Sequence, residues 1–194
     1  PGAAKSLTHI KTLTASSSGT LSFVNGSSDV VLDSTYPIYL FKFTSLHAGT
    51  NRVTFQFQGS TDTGSNYNTT ITSTYFNAYH TESNSGTPTV EYNDSHDDAQ
   101  STSFSNLHVQ IGVDNDNNGS GEMYLFNPSS TTFVKHFIST MSHTYVTSSN
   151  APYAWQNFKS GYFNTTSAID AIQFKMSSGN IDAGTIKLYG IKDS

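Results

Sequence analysis

Ala171-Ile-Gln-Phe-Lys-Met-Ser-Ser-Gly-Asn-Ile-Asp-Ala-Gly-Thr-Ile-Lys-Leu-Tyr-Gly-Ile191 decides the fold class. Ile172, Phe174 and Met176 alternate with Gln173, Lys175 and Ser177. Beyond Ser178-Gly179-Asn180, Ile186, Leu188 and Gly190 alternate with Lys187 and Tyr189. Successive side chains of an extended chain point to opposite faces, so period-two alternation marks a strand with one buried face. Two such runs around a polar Gly/Asn turn predict a β-hairpin.

The same signal recurs upstream. Strand-like runs are read at 7–13, 20–24, 30–32, 38–46, 52–58, 70–80, 107–113, 122–126, 133–143 and 160–164, with the pair above at 168–176 and 185–191. Val53, Phe55 and Phe57 alternate cleanly with Thr54, Gln56 and Gln58. Ile38-Tyr-Leu-Phe-Lys-Phe is more uniformly apolar, as for a central strand between two layers. Asn25-Gly26, Thr63-Gly64, Asn118-Gly119 and Ser178-Gly179 punctuate the runs with turn chemistry. A short helix is possible at 165–171. Many short strands with frequent turns predict an all-β chain, an antiparallel β-sandwich of jelly-roll-like type. The 194 residues read as a single sandwich domain, with an N-terminal arm at 1–6 and a long polar surface loop at 81–105.

Composition agrees. Thirty Ser, 26 Thr and 16 Asn make up more than a third of the chain, and these residues favour turns, caps and strand faces over helix interiors. Only 12% of residues are charged, so the wet faces of long amphipathic helices have no supply. Thirteen Phe and eleven Tyr are the expected core material. The net charge of −5 with nine Lys plus Arg, and no basic run, argues against a nucleic-acid partner. Cysteine is absent, so disulfides and thiolate sites are excluded. No apolar stretch approaches the roughly 20 residues of a membrane helix, so no membrane partner is expected.

Few motifs carry chemistry. Asp114-x-Asp116-x-Asn118-Gly119 matches the first half of an EF-hand calcium loop, in which alternate oxygens converge on a hard cation and glycine permits the turn. Position 12 of that loop is Leu125, and Glu122 stands at position 9. A weak calcium site on Asp114, Asp116, Asn118 and Glu122 is therefore one reading; a plain polar hairpin loop is the other. No further cofactor is indicated. The seven histidines include no His-x-His or His-Glu-x-x-His pattern, and strand parity puts His136 and His143 on opposite faces. His96-Asp97-Asp98 in a serine-rich chain is a weak triad signal without a nucleophile elbow. Tyr153, Trp155, Phe158, Tyr162 and Phe163 cluster; exposed, Tyr153 and Trp155 would stack on sugars, and buried they would be core.

Tyr39-Leu-Phe-Lys-Phe-Thr-Ser-Leu-His-Ala-Gly-Thr, Phe55-Gln-Phe-Gln-Gly-Ser-Thr-Asp-Thr-Gly-Ser-Asn-Tyr-Asn, Thr72-Ser-Thr-Tyr-Phe-Asn-Ala-Tyr-His and Ile186-Lys-Leu-Tyr-Gly-Ile-Lys carry a resemblance. From about residue 7 onward the chain resembles virion structural proteins of marine tailed bacteriophages, cyanophages in particular. The resemblance implies a β-sandwich on the virion surface, as a capsid decoration subunit or part of a tail fibre. It implies other virion proteins as partners and a homo-oligomer, by family habit a trimer. It brings no catalytic motif, so the expected function is a non-enzymatic structural subunit. The alternative is a tail-fibre adhesin domain that binds host-surface glycan through Tyr153 and Trp155.

Overall fold

The computed structural model describes residues 6–84 and 86–192. Among them twelve strands form: β1 (Ser6–Thr14), β2 (Leu21–Val24), β3 (Ile38–Ala48), β4 (Val53–Ser60), β5 (Ile71–Thr81), β6 (Thr89–Tyr92), β7 (Ser105–Ile111), β8 (Gly119–Phe126), β9 (Lys135–Val146), β10 (Pro152–Phe163), β11 (Ala171–Met176) and β12 (Ile181–Lys192). Among the described residues the one helical element is a 3-10 turn at Asp94–His96. No helix there is long and apolar enough to cross a membrane. The all-β expectation is met. Among the described residues every strand pairing is antiparallel, and the strands share one sheet that nearly closes into a barrel.

The sheet runs β1-β12-β3-β8-β9 and divides at β9. On one side β9 continues through β10 and β5 to β6. On the other, Tyr145 meets Ile111, and the order continues β7-β4-β11-β2. The division has a simple cause. Strand β8 pairs with β9 only between Phe137 and His143, so the far end of β9 is left for β7.

The core lies inside the curl and is built from rings. Phe174 on β11 has Phe23, Phe41, Phe43 and Phe55 around it, with centroids at 6.3, 5.3, 5.3 and 5.7 Å. Phe57, Phe137 and Phe163 form a second group beside it. Most contacts are edge-to-face, the arrangement favoured by the ring quadrupole. Each fully buried ring contributes about 1.5–3 kcal/mol.

Several expectations are corrected. The two C-terminal runs are strands, but they do not pair with each other. β11 lies between β2 and β4, whereas β12 lies between β1 and β3. Residues 177–180 form an arch that crosses the core, and Phe174 reaches it from one side while Ile186 and Leu188 reach it from the other. Gly179 takes the left-handed conformation there, φ +67°. The run at 30–32 is no strand. Val30 and Leu32 are buried, but turn bonds hold them: Val30 N donates to the Ser27 carbonyl and Leu32 N to Asn25 Oδ1. No helix forms at 165–171, because Ile169 N and Asp170 N donate to the distant carbonyls of Pro128 and Ser60. The 81–105 region is not one loop; it contains β6 and the 3-10 turn. Of the expected arm at 1–6, residues 1–5 lie outside the described residues, and Ser6 already opens β1.

Candidate interaction face

Strand parity sorts the side chains of β9, β10 and β5 onto two faces. Phe137, Met141, His143, Trp155, Asn157, Lys159, Phe163, Tyr75 and Asn77 point inward and are buried. His136, Ile138, Thr140, Ser142, Ala154, Gln156, Phe158, Ser160, Tyr162, Thr72, Thr74, Phe76 and Ala78 point outward. The outward positions of these three strands carry no Asp, Glu, Lys or Arg.

The outward face is apolar in rows. Tyr92, Phe76, Phe158 and Thr140 are successive register partners across β6, β5, β10 and β9. Phe76 and Phe158 stack with centroids 4.7 Å apart. The next row runs Thr74, Ser160, Ile138, Tyr124, Leu40, Tyr189 and His9, from β5 to β1. Phe76 is 43% exposed, Ile138 49%, Tyr92 63% and Val90 74%. Large apolar side chains left this open and adjacent mark a contact surface. Two hollows of about 520 and 320 Å³ adjoin each other here and share Thr74, Ile138 and Ser160. Their floor is low because Ser160 is small, and their walls are the rings of Tyr162, Phe158 and Phe76. A third hollow, about 540 Å³, lies along Ala78, Ala154 and Val90.

Beneath this face is a buried polar layer. Tyr75 OH donates to Asn157 Oδ1. Asn157 Nδ2 donates to His143 Nδ1 at 3.2 Å, which leaves the proton on Nε2 to be donated to the Val109 carbonyl at 2.6 Å. His108 stacks on His143, and neither of its ring nitrogens has a partner. Burial drives the His143 imidazole down to about 4 and the His108 imidazole well below its ordinary value, so both are neutral. Lys159 pairs with Asp98 at 2.9 Å, both nearly shut off from water. Burial lowers the Lys159 amine and the Asp98 charge offsets part of that shift.

The sequence-derived candidates are scattered by this arrangement. Asp114 and Asp116 line a small polar pocket with Glu82, Asn117 and Asn150. Glu122 lies elsewhere, on β8 facing outward, 3.8 Å from Lys42. Asn118 contributes its carbonyl to Thr144 N. The four residues of the EF-hand-like reading do not converge, and among the described residues no group of three His, Asp or Glu is assembled for a metal. The β8 strand carries Glu122 away from Asp114, so the polar pocket at Asp114 and Asp116 lacks that ligand.

Trp155 cannot stack on a sugar. Tyr79 covers one ring face and Tyr145 the other, each at 4.2 Å. Tyr153 is half-buried and edge-on against the same two tyrosines. His96, Asp97 and Asp98 do not form a triad. Asp98 accepts from Ser73 and Ser105, Asp97 from Tyr92, and His96 Nδ1 faces Asn106. His136 and His143 do lie on opposite faces, as parity requires.

The outward rows were missed in the sequence, although a signal was present. Tyr75-Phe76 and Phe137-Ile138 are adjacent apolar pairs in alternating strands, and one member of each must face away from the core. The Ser60–Asn66 segment, prominent in the sequence, is a self-organised loop. The Asp62 carboxylate, held at about 2 by hydrogen bonds from Asn66 and Ser60, accepts Asn66 Nδ2 at 2.7 Å and Ser60 Oγ at 2.7 Å. No protein-family model matches the chain, and no curated protein matches it.

Proposed function

We propose that this protein is a non-enzymatic structural subunit on the surface of a tailed-phage particle, most simply a capsid decoration subunit, and that it docks onto neighbouring virion proteins through the outward face of β9, β10, β5 and β6. The observation that carries the reading is the uncharged apolar row Tyr92, Phe76, Phe158 with Ile138 beside it. Such a face loses little to ionic screening, because its contacts owe little to charge. Self-association, as a trimer, uses the same kind of surface. The use of the polar side chains also favours a structural role. The buried histidines bond or stack within the wall, and the buried Lys159–Asp98 pair ties one segment to another. The finer jelly-roll-like sandwich belongs to the same proposal; its support is that β7-β4-β11-β2 faces β12-β3-β8-β9 across shared phenylalanines.

Labelled antibody on intact particles tests it. Head labelling is expected, and labelling confined to the tail overturns the decoration reading. Ile138→Asp is the companion variant. It faces water in the monomer, so folding is expected to be unchanged while sedimentation shifts to a smaller species and particle incorporation is lost. Unchanged incorporation overturns the assignment of the face.

A second reading has one observation in its favour. The hydroxyls of Thr72, Thr74 and Ser160 sit beside the Tyr162 and Phe158 rings in the hollows, a pairing suited to a neutral sugar. Glycan binding abolished by Tyr162→Ala favours that adhesin role over decoration.

A further inference from the structure

The chain has no cysteine, so no disulfide can tie its strands. One contact is placed to do so by other chemistry. Lys159 projects inward from the middle of β10, and Asp98 sits in the segment that runs from the 3-10 turn to β7. Lys159 Nζ lies 2.9 Å from Asp98 Oδ2, with the two side chains 1% and 10% exposed. This segment is laid against β5 by backbone bonds, Ser73 N to the Asp98 carbonyl and the Ile71–Ser101 bridge, so the pair is fixed from both sides.

We propose that Lys159 and Asp98 condense spontaneously into an intramolecular isopeptide bond. The surroundings supply what the condensation needs. An ion pair out of water is expensive, and transfer of one proton from the ammonium to the carboxylate, settling on Oδ1, converts it to a neutral amine and a neutral acid whose Oδ2 stays free to accept. The amine is steered by a bond to the His96 carbonyl at 2.9 Å and by the Tyr75 ring, 5.7 Å from its centroid. Ser73 Oγ and Ser105 Oγ both donate to Asp98 Oδ2, at 2.7 and 2.6 Å. That oxygen is held as the future carbonyl, and its two donors stabilise the charge it carries in the tetrahedral intermediate. Oδ1 takes no hydrogen bond from the described residues and is the oxygen that leaves. The preceding residue, Asp97, keeps its Oδ1 buried without a partner, and its charge adds to that of Asp98 in favouring the Lys159 ammonium before reaction. Holding both groups in contact removes the entropic cost of their encounter.

The step balances without an outside reagent. The Nζ–Cγ bond forms and the Cγ–Oδ1 bond breaks. Of the three ammonium protons, one stays on the amide nitrogen and two leave with Oδ1 as water.

Intact mass of the natively folded full chain is the test. The expected value is one water below the mass calculated from the sequence. Trypsin then yields a branched peptide joining residues 53–135 to residues 136–175, uncut after Lys159. Lys159→Arg keeps the charge pairing and is expected to show the full sequence mass. A folded wild-type chain at full sequence mass, cleaved normally after Lys159, overturns the proposal and leaves an ion pair only.

Discussion

His143 and His108 lie ring on ring, centroids 4.7 Å apart, where β9 and β7 approach each other. His143 uses both nitrogens for structure, whereas His108 uses neither. Two uncharged imidazoles in contact make this wall sensitive to acid, because protonating either puts a buried charge beside its neighbour.

Acid sensitivity has a defined window. In the unfolded chain His143 titrates near 6.5, and in the folded chain burial holds it at about 4. The unfolded state therefore takes up the proton first. Stability is complete above the unfolded value, falls as pH drops through the interval, and levels off below the folded value. The loss from His143 alone is about 3 kcal/mol, and the lowered His108 adds to it in the same direction. Urea midpoints measured at neutral pH and near pH 5 are expected to differ; equal midpoints contradict the buried, neutral pair.

Lys135 is completely buried and donates to three backbone carbonyls, of Ser130, Phe133 and Thr165, at 3.1, 3.1 and 2.8 Å. It thereby fastens the turn before β9 to the segment after β10. Lys135→Met keeps the stem and strips the donors, leaving the carbonyls to find water or go unpaired. The expected loss is about 3 kcal/mol, read as a lower melting temperature. A variant as stable as the wild type shows that the carbonyls are satisfied another way.

Trp155 is the one tryptophan, so its fluorescence reports a single place. With Tyr79 and Tyr145 on its two faces, it is expected to emit at short wavelength, resist acrylamide and red-shift only on unfolding. Glycans that bind the two hollows beside Tyr162 and Phe158 should leave this emission unchanged. Ready quenching in the native state means that the ring stack is open. Trp155→Ala is expected to cost about 3–5 kcal/mol.

Gly161 lets β10 lie close over β5 and the Phe137 ring beneath it. A Cβ there meets the Thr72 carbonyl at 2.5 Å and the Phe137 ring at 2.8 Å. Gly161→Ala therefore pushes apart β10, β5 and the ring beneath, at a cost of about 2 kcal/mol. Chemical denaturation of the purified variant checks this, and an unchanged midpoint means that the strands have room to relax.

Alternation made the strands legible, and it also misled. Phe174 with Ile186 and Leu188 reads identically for a hairpin and for an arch, since both deliver apolar side chains to one core. Only the pairing partners, distant in sequence, distinguish them. The 81–105 region hid β6 because Thr89–Tyr92 is short, polar at every second place and at the rim of the sheet. The EF-hand-like spacing was real, but a strand beginning at Gly119 turned Glu122 outward, away from Asp114. Trp155 and Tyr153 were legible as a cluster; their mutual stacking with Tyr79 and Tyr145 requires β5, β10 and β9 to be side by side. The outward row was encoded in adjacent aromatic pairs, which make sense only after each strand is assigned an inner face.

The crossing at 177–180 also dictates an order of events for the newborn chain. β12 slots between β1 and β3, and β11 between β2 and β4, so four early strands each wait for a mate made at least about a hundred residues later. Until those mates emerge, the early strands present raw backbone edges that can pair with another copy. Synthesis on the ribosome is thus a race between closure and clumping, and crowded translation of many copies at once favours the wrong winner.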